Sequence, residues 1–157
     1  RIDNRIKAVV NLDGSMYGDV FSSGLSVPLL LMKNAYVGGI DMPDDSMLAD
    51  MELTLDEYKN YLGDLRDKEQ QLWNCMTADS YDMIIRQSGH YNFTDLPYFQ
   101  GSLLIDDKRE MGLLSAERGT TIIRRFVETF LSKYLRREGD FVGDNNTFSE
   151  VVINKRS

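Results

Sequence analysis

Three short apolar runs and two stretches of helical period organise the chain. Ile6-Lys7-Ala8-Val9-Val10-Asn11-Leu12 is short, β-branched and stopped by Asp13-Gly14, which predicts a buried strand. Pro28-Leu29-Leu30-Leu31-Met32-Lys33 predicts a second, its proline tolerated at a first strand position. Tyr81-Asp82-Met83-Ile84-Ile85-Arg86 predicts a third. Between the last two, Thr54-Leu55-Asp56-Glu57 has the form of a capping box. The helix it opens carries Leu55, Tyr58, Leu62, Leu65, Leu72 and Met76 as an apolar stripe. Its other face, with Asp64, Arg66, Asp67, Lys68 and Glu69, reads as solvated surface. Ile122, Ile123, Phe126, Val127, Phe130, Leu131, Tyr134 and Leu135 predict a second helix, ended by Gly139 after Arg136 and Arg137. Residues 13–27 and 34–45, punctuated by Gly, Ser and Pro43, read as loops, and the tail from Asp140 as irregular.

Buried strands alternating with amphipathic helices predict an α/β fold with a mostly parallel sheet. Three strands leave at least one apolar edge uncovered. The chain is therefore expected to complete a larger sheet, with the remaining strands supplied by residues before Arg1 or by a second chain. At 157 residues it has the length of one domain. A net charge of -7 argues against a nucleic-acid partner, which needs clustered Lys and Arg. No apolar run approaches the roughly 18 residues of a membrane span, so no transmembrane segment is expected. The single Cys75 permits no internal disulfide and leaves the compartment open. One His and one Cys cannot assemble the usual zinc sets, and Asp41, Asp44 and Asp45 do not follow the EF-hand spacing. Neither a metal nor another cofactor is expected.

The candidate chemistry lies at Gln87-Ser88-Gly89-His90-Tyr91-Asn92-Phe93-Thr94-Asp95, which holds the only histidine. An imidazole just past a strand, behind a glycine, is where an α/β enzyme places a general base. The residues alone favour a packed or solvent-facing loop histidine over that base. Asp13, at the tip of the first strand, is placed to orient an imidazole, or simply to form an Asp-Gly turn. Asp41, Asp44 and Asp45 are rival acids after the second strand, whereas Asp95 is too near His90 along the chain. Ser15 in Gly14-Ser15-Met16-Tyr17-Gly18 has the wrong spacing for a nucleophile elbow, and no helix pattern follows it. Cys75 ends an amphipathic helix with no cation motif to activate it and reads as a quiet thiol. No nucleophile is evident. Met16, Tyr17, Tyr91 and Phe93 flank the candidate residues and either line an apolar pocket or pack in the core. Leu96 to Ile105 lacks the basic face of an interfacial helix and is expected to pack over the site.

Arg5-Ile6-Lys7-Ala8-Val9-Val10-Asn11-Leu12-Asp13-Gly14, Pro28-Leu29-Leu30-Leu31-Met32 and Gly89-His90-Tyr91-Asn92-Phe93-Thr94-Asp95 together resemble the C-terminal half of an α/β-hydrolase. They are similar to the sixth strand, the seventh strand and the histidine segment after the eighth in the plasma-type platelet-activating-factor acetylhydrolase family and its bacterial esterase relatives. The last helix resembles that family's closing helix. The resemblance implies a single domain portion over 1–157, strands six to eight with flanking helices, and a helical insertion at about 41–76. It implies Asp13 as triad acid and His90 as general base of a serine-type carboxylic ester hydrolase acting on a short-chain or lipid ester. Met16, Tyr17 and Phe93 would then contact substrate. The family's serine elbow and oxyanion loop precede the acid strand, so this chain alone is expected to be inactive. The other reading is a non-catalytic α/β fragment or module that binds a partner through its exposed sheet edge. The esterase reading requires the Asp13 carboxylate within about 2.6–3.2 Å of a His90 ring nitrogen.

Overall fold

Parallel pairing of Val9–Leu12 (β1) with Leu29–Asn34 (β2), and of β2 with Ser80–Ile85 (β3), builds the centre of the molecule. The computed structural model describes residues 3–99, 108–141 and 147–156. A fourth strand, Val151–Lys155 (β4), pairs antiparallel with β3, and the sheet order is β1-β2-β3-β4. The tail expected to be irregular from Asp140 thus contains a strand. Val151-Val152-Ile153 is a β-branched run whose Val151 and Ile153 are buried in the core. The sheet accordingly has four strands among the described residues, with β1 at one edge and β4 at the other.

Every residue of β2 is buried, because helices cover both faces of the sheet. On one face Leu30 and Met32, with Tyr81, Met83 and Ile85 of β3, meet Ile122, Phe126 and Phe130 of Ala116–Leu131 (α5). On the other, Leu29 and Leu31 meet Leu72 and Trp73 of Leu55–Cys75 (α3), beside Val20 and Phe21 of the short helix Val20–Ser23 (α1). Each such side chain contributes about 1.5–3 kcal/mol when fully buried.

The start of α3 is the capping box read from sequence. Thr54 Oγ1 accepts the Glu57 N–H at 3.2 Å, and Glu57 Oε2 accepts the Thr54 N–H at 2.8 Å. Residues 41–76 divide into two parts. Asp45–Asp50 (α2) and the first turns of α3 form their own apolar cluster around Leu48, Tyr58 and Leu62, while the last turns of α3 cover the sheet. The charged face of α3 is not solvated throughout. Asp64, Arg66, Asp67 and Lys68 are exposed, but Glu69 turns inward to meet Lys33 Nζ at 2.7 Å. Lys33 also lies 2.9 Å from Asp82 Oδ1, and Arg156 reaches Asp82 Oδ2 at 2.6 Å. Burial pushes the Glu69 carboxyl up, and the Lys33 ammonium only partly offsets it.

After the short helix Lys108–Met111 (α4), α5 begins earlier than its apolar stripe, at Ala116, because Ser115 Oγ accepts the Arg118 N–H at 3.3 Å. Its end also differs from the expected glycine cap. A π turn, Ser132–Arg136, closes on Arg137, which takes the left-handed conformation at φ 62°. Gly139 lies beyond that cap, itself at φ 67°.

Candidate functional site

Because β1, β2 and β3 are parallel, the segments that follow them emerge at one edge of the sheet, where α/β folds place their ligands. Asp13 follows β1, Asn34 ends β2, and His90 lies on the loop after β3. Asp13 adopts φ 57°, a left-handed conformation that Asp tolerates better than most residues. Its N–H still bonds Met32 O at 2.9 Å, so the chain turns sharply without losing the ladder. This turns the carboxylate over the end of β2. Oδ1 accepts the Asn34 backbone N–H at 2.8 Å, and Oδ2 accepts from Asn34 Nδ2 at 2.8 Å. His90 Nδ1 lies 2.7 Å from the same Oδ2, across 77 residues of sequence. The Asp13 side chain is 3% exposed and the His90 side chain 48%, so the acid is enclosed while the ring reaches solvent.

The loop that carries His90 is held at several points. Gln87 is left-handed at φ 60°, and its carbonyl accepts from the Leu113 and Leu114 N–H groups at 2.7 and 2.9 Å. Ser88, fully buried, donates its hydroxyl to Ile85 O at 2.7 Å. His90–Phe93 is one 3-10 turn. Buried Asn92 fastens it at both ends: Oδ1 accepts the Gly89 N–H at 2.9 Å and Nδ2 donates to Leu114 O at 3.1 Å. Leaving such a buried partner unsatisfied costs about 1–3 kcal/mol. Gly112, at φ 64°, bridges Ser88, and a Cβ added there would meet the backbone of residues 87–89.

The rival acids have other partners. Asp41 Oδ2 accepts the Gln87 N–H at 3.1 Å, and Asp44 caps α2 by accepting from Met47 at 2.9 Å. Asp45 sits in the first turn of α2. Two cavities flank the pair. One of about 290 Å³ is lined by Asp13, Ser15, Met16 and Tyr17 together with Lys33 and Glu69. The other, about 270 Å³, is lined by His90 with Tyr36, Met51, Leu53, Tyr58 and Tyr61. Burial, with Asp41 and Asp44 adding to it, pushes the Tyr36 phenol up, so its hydroxyl stays neutral; Glu110 also lines this cavity.

Of the residues expected to contact substrate, Met16 and Tyr17 share the first cavity with Asp13, and Tyr17 is 83% exposed. Phe93 is in neither. It packs against the core beneath α5 and lines a separate cleft with Leu12, Ile123 and Val127. The segment expected to cover the site forms a 3-10 turn, Leu96–Phe99, tied to α5 through Tyr98 Oη and Thr120 at 3.1 Å. Its remainder, 100–105, lies outside the described residues. Cys75 Sγ contacts Ser22 O at 3.3 Å, away from both cavities. Among the described residues no group of three or more His, Cys, Asp or Glu is placed to hold a metal ion, and no helix is long and apolar enough to cross a membrane. Sequence reading missed Asn34, which it placed at the start of a loop, and the tyrosine-lined cavity. For the first, sequence offered only an Asn directly after a buried apolar run; its place beside Asp13 follows from the pairing of β1 with β2.

No protein-family model and no curated protein sequence matches the chain. Among solved structures, the fold is similar to part of a ferulic acid esterase from Streptomyces cinnamoneus. The TM-score is 0.69 at 22% identity, with 96% of this chain and 40% of the esterase chain covered. The chain thus spans 40% of the length of that enzyme and shares the fold of that portion.

Proposed function

We propose that the chain supplies the general base and the orienting acid of a serine-type carboxylic ester hydrolase, as the C-terminal portion of an α/β-hydrolase domain. The observation that carries this reading is the 2.7 Å approach of His90 Nδ1 to the enclosed Asp13 carboxylate at the tips of parallel strands. The fold likeness to part of an esterase supports it. So do the acetylhydrolase-like segments around Asp13 and His90. In this mechanism Asp13 accepts from Nδ1–H, and Nε2 takes the proton of a serine hydroxyl as that oxygen attacks the ester carbonyl. The imidazolium then returns the proton to the departing alkoxide. Water repeats the sequence on the acyl-enzyme, with His90 again as base. The serine and the donors to the oxyanion come from outside residues 1–157, from a segment that joins the sheet at β1. Among the described residues β1 pairs only with β2, and Leu12 at its end is 40% exposed, which suits a strand added alongside.

The tyrosine-lined cavity beside His90 receives the apolar group of the ester. Its lining among the described residues contains no Lys or Arg, which fits an uncharged acyl or aryl group better than an anionic one. Short-chain and lipid esters, from the acetylhydrolase resemblance, and hydroxycinnamoyl esters, from the esterase of similar fold, are the classes to assay first. The test is hydrolysis of p-nitrophenyl acetate by residues 1–157 alone and by the intact protein, with a fluorophosphonate probe to mark the nucleophile. The expected result is an inert chain and an active, labelled intact protein. Turnover by residues 1–157 that disappears in His90→Ala would place the nucleophile within this chain and refute the division of labour.

The open edge of β1 is also what a non-catalytic module binding a partner by strand addition would present. That reading asks nothing of the Asp13–His90 contact and predicts that His90→Ala leaves partner binding unchanged.

A further inference from the structure

We infer that Asn34 is the positioning residue that sets the tautomer of His90. Asn34 takes no part in the proton transfers; it acts through Asp13. It is the last residue of β2, paired in register with Ile85 of β3, and 5% exposed. A residue held in a strand with neighbours on both sides is a rigid mount. Its side chain makes two contacts of opposite polarity. Nδ2 donates to Asp13 Oδ2 at 2.8 Å, and Oδ1 accepts the Val37 N–H at 2.9 Å. Only one amide orientation satisfies both. If the amide were reversed, Oδ1 would face the carboxylate, acceptor against acceptor, and Nδ2 would face the Val37 N–H, donor against donor. The Val37 N–H therefore aims the Asn34 donor at Asp13.

The consequence passes to the imidazole. A carboxylate only accepts. Asn34 covers both Asp13 oxygens, its backbone N–H on Oδ1 and its Nδ2–H on Oδ2. The carboxylate is thereby fixed at two points, and the lone pair left on Oδ2 faces His90 Nδ1 at 2.7 Å. Nδ1 must carry the proton, and in the neutral ring the free lone pair is then on Nε2, the nitrogen that faces a nucleophile. Without the Asn34 side chain, the carboxylate keeps one backbone donor about which it can rotate, and the ring is no longer confined to one tautomer. The catalytic consequence rests on the ester-hydrolase reading; the contact itself does not.

His90 is the only histidine of residues 1–157, so ring-nitrogen spectra of this ¹⁵N-labelled chain carry a single imidazole. At a pH where the ring is neutral, the unmodified protein should show a protonated Nδ1 and an unprotonated Nε2. Asn34→Leu removes both side-chain contacts. Asn34→Asp keeps an acceptor for the Val37 N–H but replaces the donor to Asp13 by a second carboxyl, acceptor against acceptor. Both should move the two ring nitrogens toward the average of a tautomer mixture, as Asp13→Asn should. Ring shifts unchanged in both variants would overturn the inference. Should neither variant fold, solvent exchange of the Asn34 side-chain amide in the unmodified protein decides. Exchange at least about tenfold slower than at exposed Asn60 supports the contact, and equal exchange overturns it. In the intact protein kcat for an ester should fall about 10- to 100-fold in Asn34→Asp, with KM within about twofold. A rise in KM alone would also overturn it. If no ester is turned over by the intact protein, the hydrolase reading falls while the ring-nitrogen result still decides the role of Asn34.

Discussion

Gly112 is where a single methyl group tests how the His90 loop is held. At φ 64° it sits in the left-handed region, and a Cβ built there would lie 2.6 Å from Gln87 O and 2.7 Å from the Ser88 carbonyl carbon, with the Gly89 nitrogen closer still. These are backbone atoms of the loop leading into His90, tied to the same strand of chain by the Leu113 and Leu114 N–H bonds to Gln87 O. They cannot swing aside like the end of a side chain. Two costs therefore add in Gly112→Ala. The left-handed conformation costs an L-residue about 1–2 kcal/mol. Forcing the backbones apart costs about 1–3 kcal/mol more, by analogy with overpacking. Gly139→Ala is the control, because Gly139 has φ 67° and nothing within 4 Å of its virtual Cβ. Denaturant titration should give a loss of about 1–2 kcal/mol for Gly139→Ala and about 2–5 kcal/mol for Gly112→Ala, read from the midpoint at constant m. Displacement of the loop should also lower ester turnover by the intact protein about 100-fold in Gly112→Ala and leave it unchanged in Gly139→Ala. Equal destabilisation by the two alanines, with equal activity, would refute the claim that Gly112 wedges the histidine loop.

Lys33→Met leaves Asp82 buried with Arg156 as its remaining cation, and Asp82 Oδ1, which has the Lys33 ion pair but no well-directed hydrogen bond, without any partner. The expected loss is about 3 kcal/mol in a denaturant midpoint, part of it recovered in Lys33→Met/Asp82→Leu, because Glu69 still lacks its Lys33 partner. Arg118 holds the Glu150 carboxyl at about 2 against an ordinary 4.5. The unfolded chain binds the proton first, so this stabilisation is complete above about 4.5 and is lost as pH falls toward 2. Glu150→Gln should flatten that part of the acid-unfolding curve and leave stability at neutral pH reduced. Leu53→Trp narrows the cavity beside His90 and should raise KM for a bulky aryl ester about tenfold in the intact protein, with p-nitrophenyl acetate changed less than about twofold. Equal effects on both esters would place the apolar group of the substrate elsewhere.

The elements legible in the sequence were those whose signal is local and repeated. β-branched and leucine-rich runs marked β1, β2 and β3, and Thr54 to Glu57 marked the start of α3. β4 was missed although Val151-Val152-Ile153 carries the same signal, because a five-residue strand after a polar tail has no second feature to support it. Glu69 read as surface because helical position says which face a residue is on, not that Lys33 on a strand is waiting beneath it. Arg137 as a left-handed cap was invisible because glycine is the expected residue and Gly139 stands two positions later. Within the site, Asp13 and His90 stood out through strand tips and a lone imidazole. Asn34 did not, because its importance comes from register: β2 ends level with Asp13 only once β1 and β2 are paired. Phe93 shows the converse. Its neighbour along the chain, His90, faces one cavity, while the 3-10 turn carries Phe93 round to the core beneath α5.

A double-variant cycle on ester hydrolysis by the intact protein probes the pairing of Asp13 and His90 most directly. Asp13→Asn and His90→Ala should each lower kcat about 10⁴-fold, and the double variant should be no worse than His90→Ala alone, since the two act as one unit. Independent, multiplying losses, or a His90→Ala protein that keeps its turnover, would mean that this carboxylate and this imidazole do not work together on an ester.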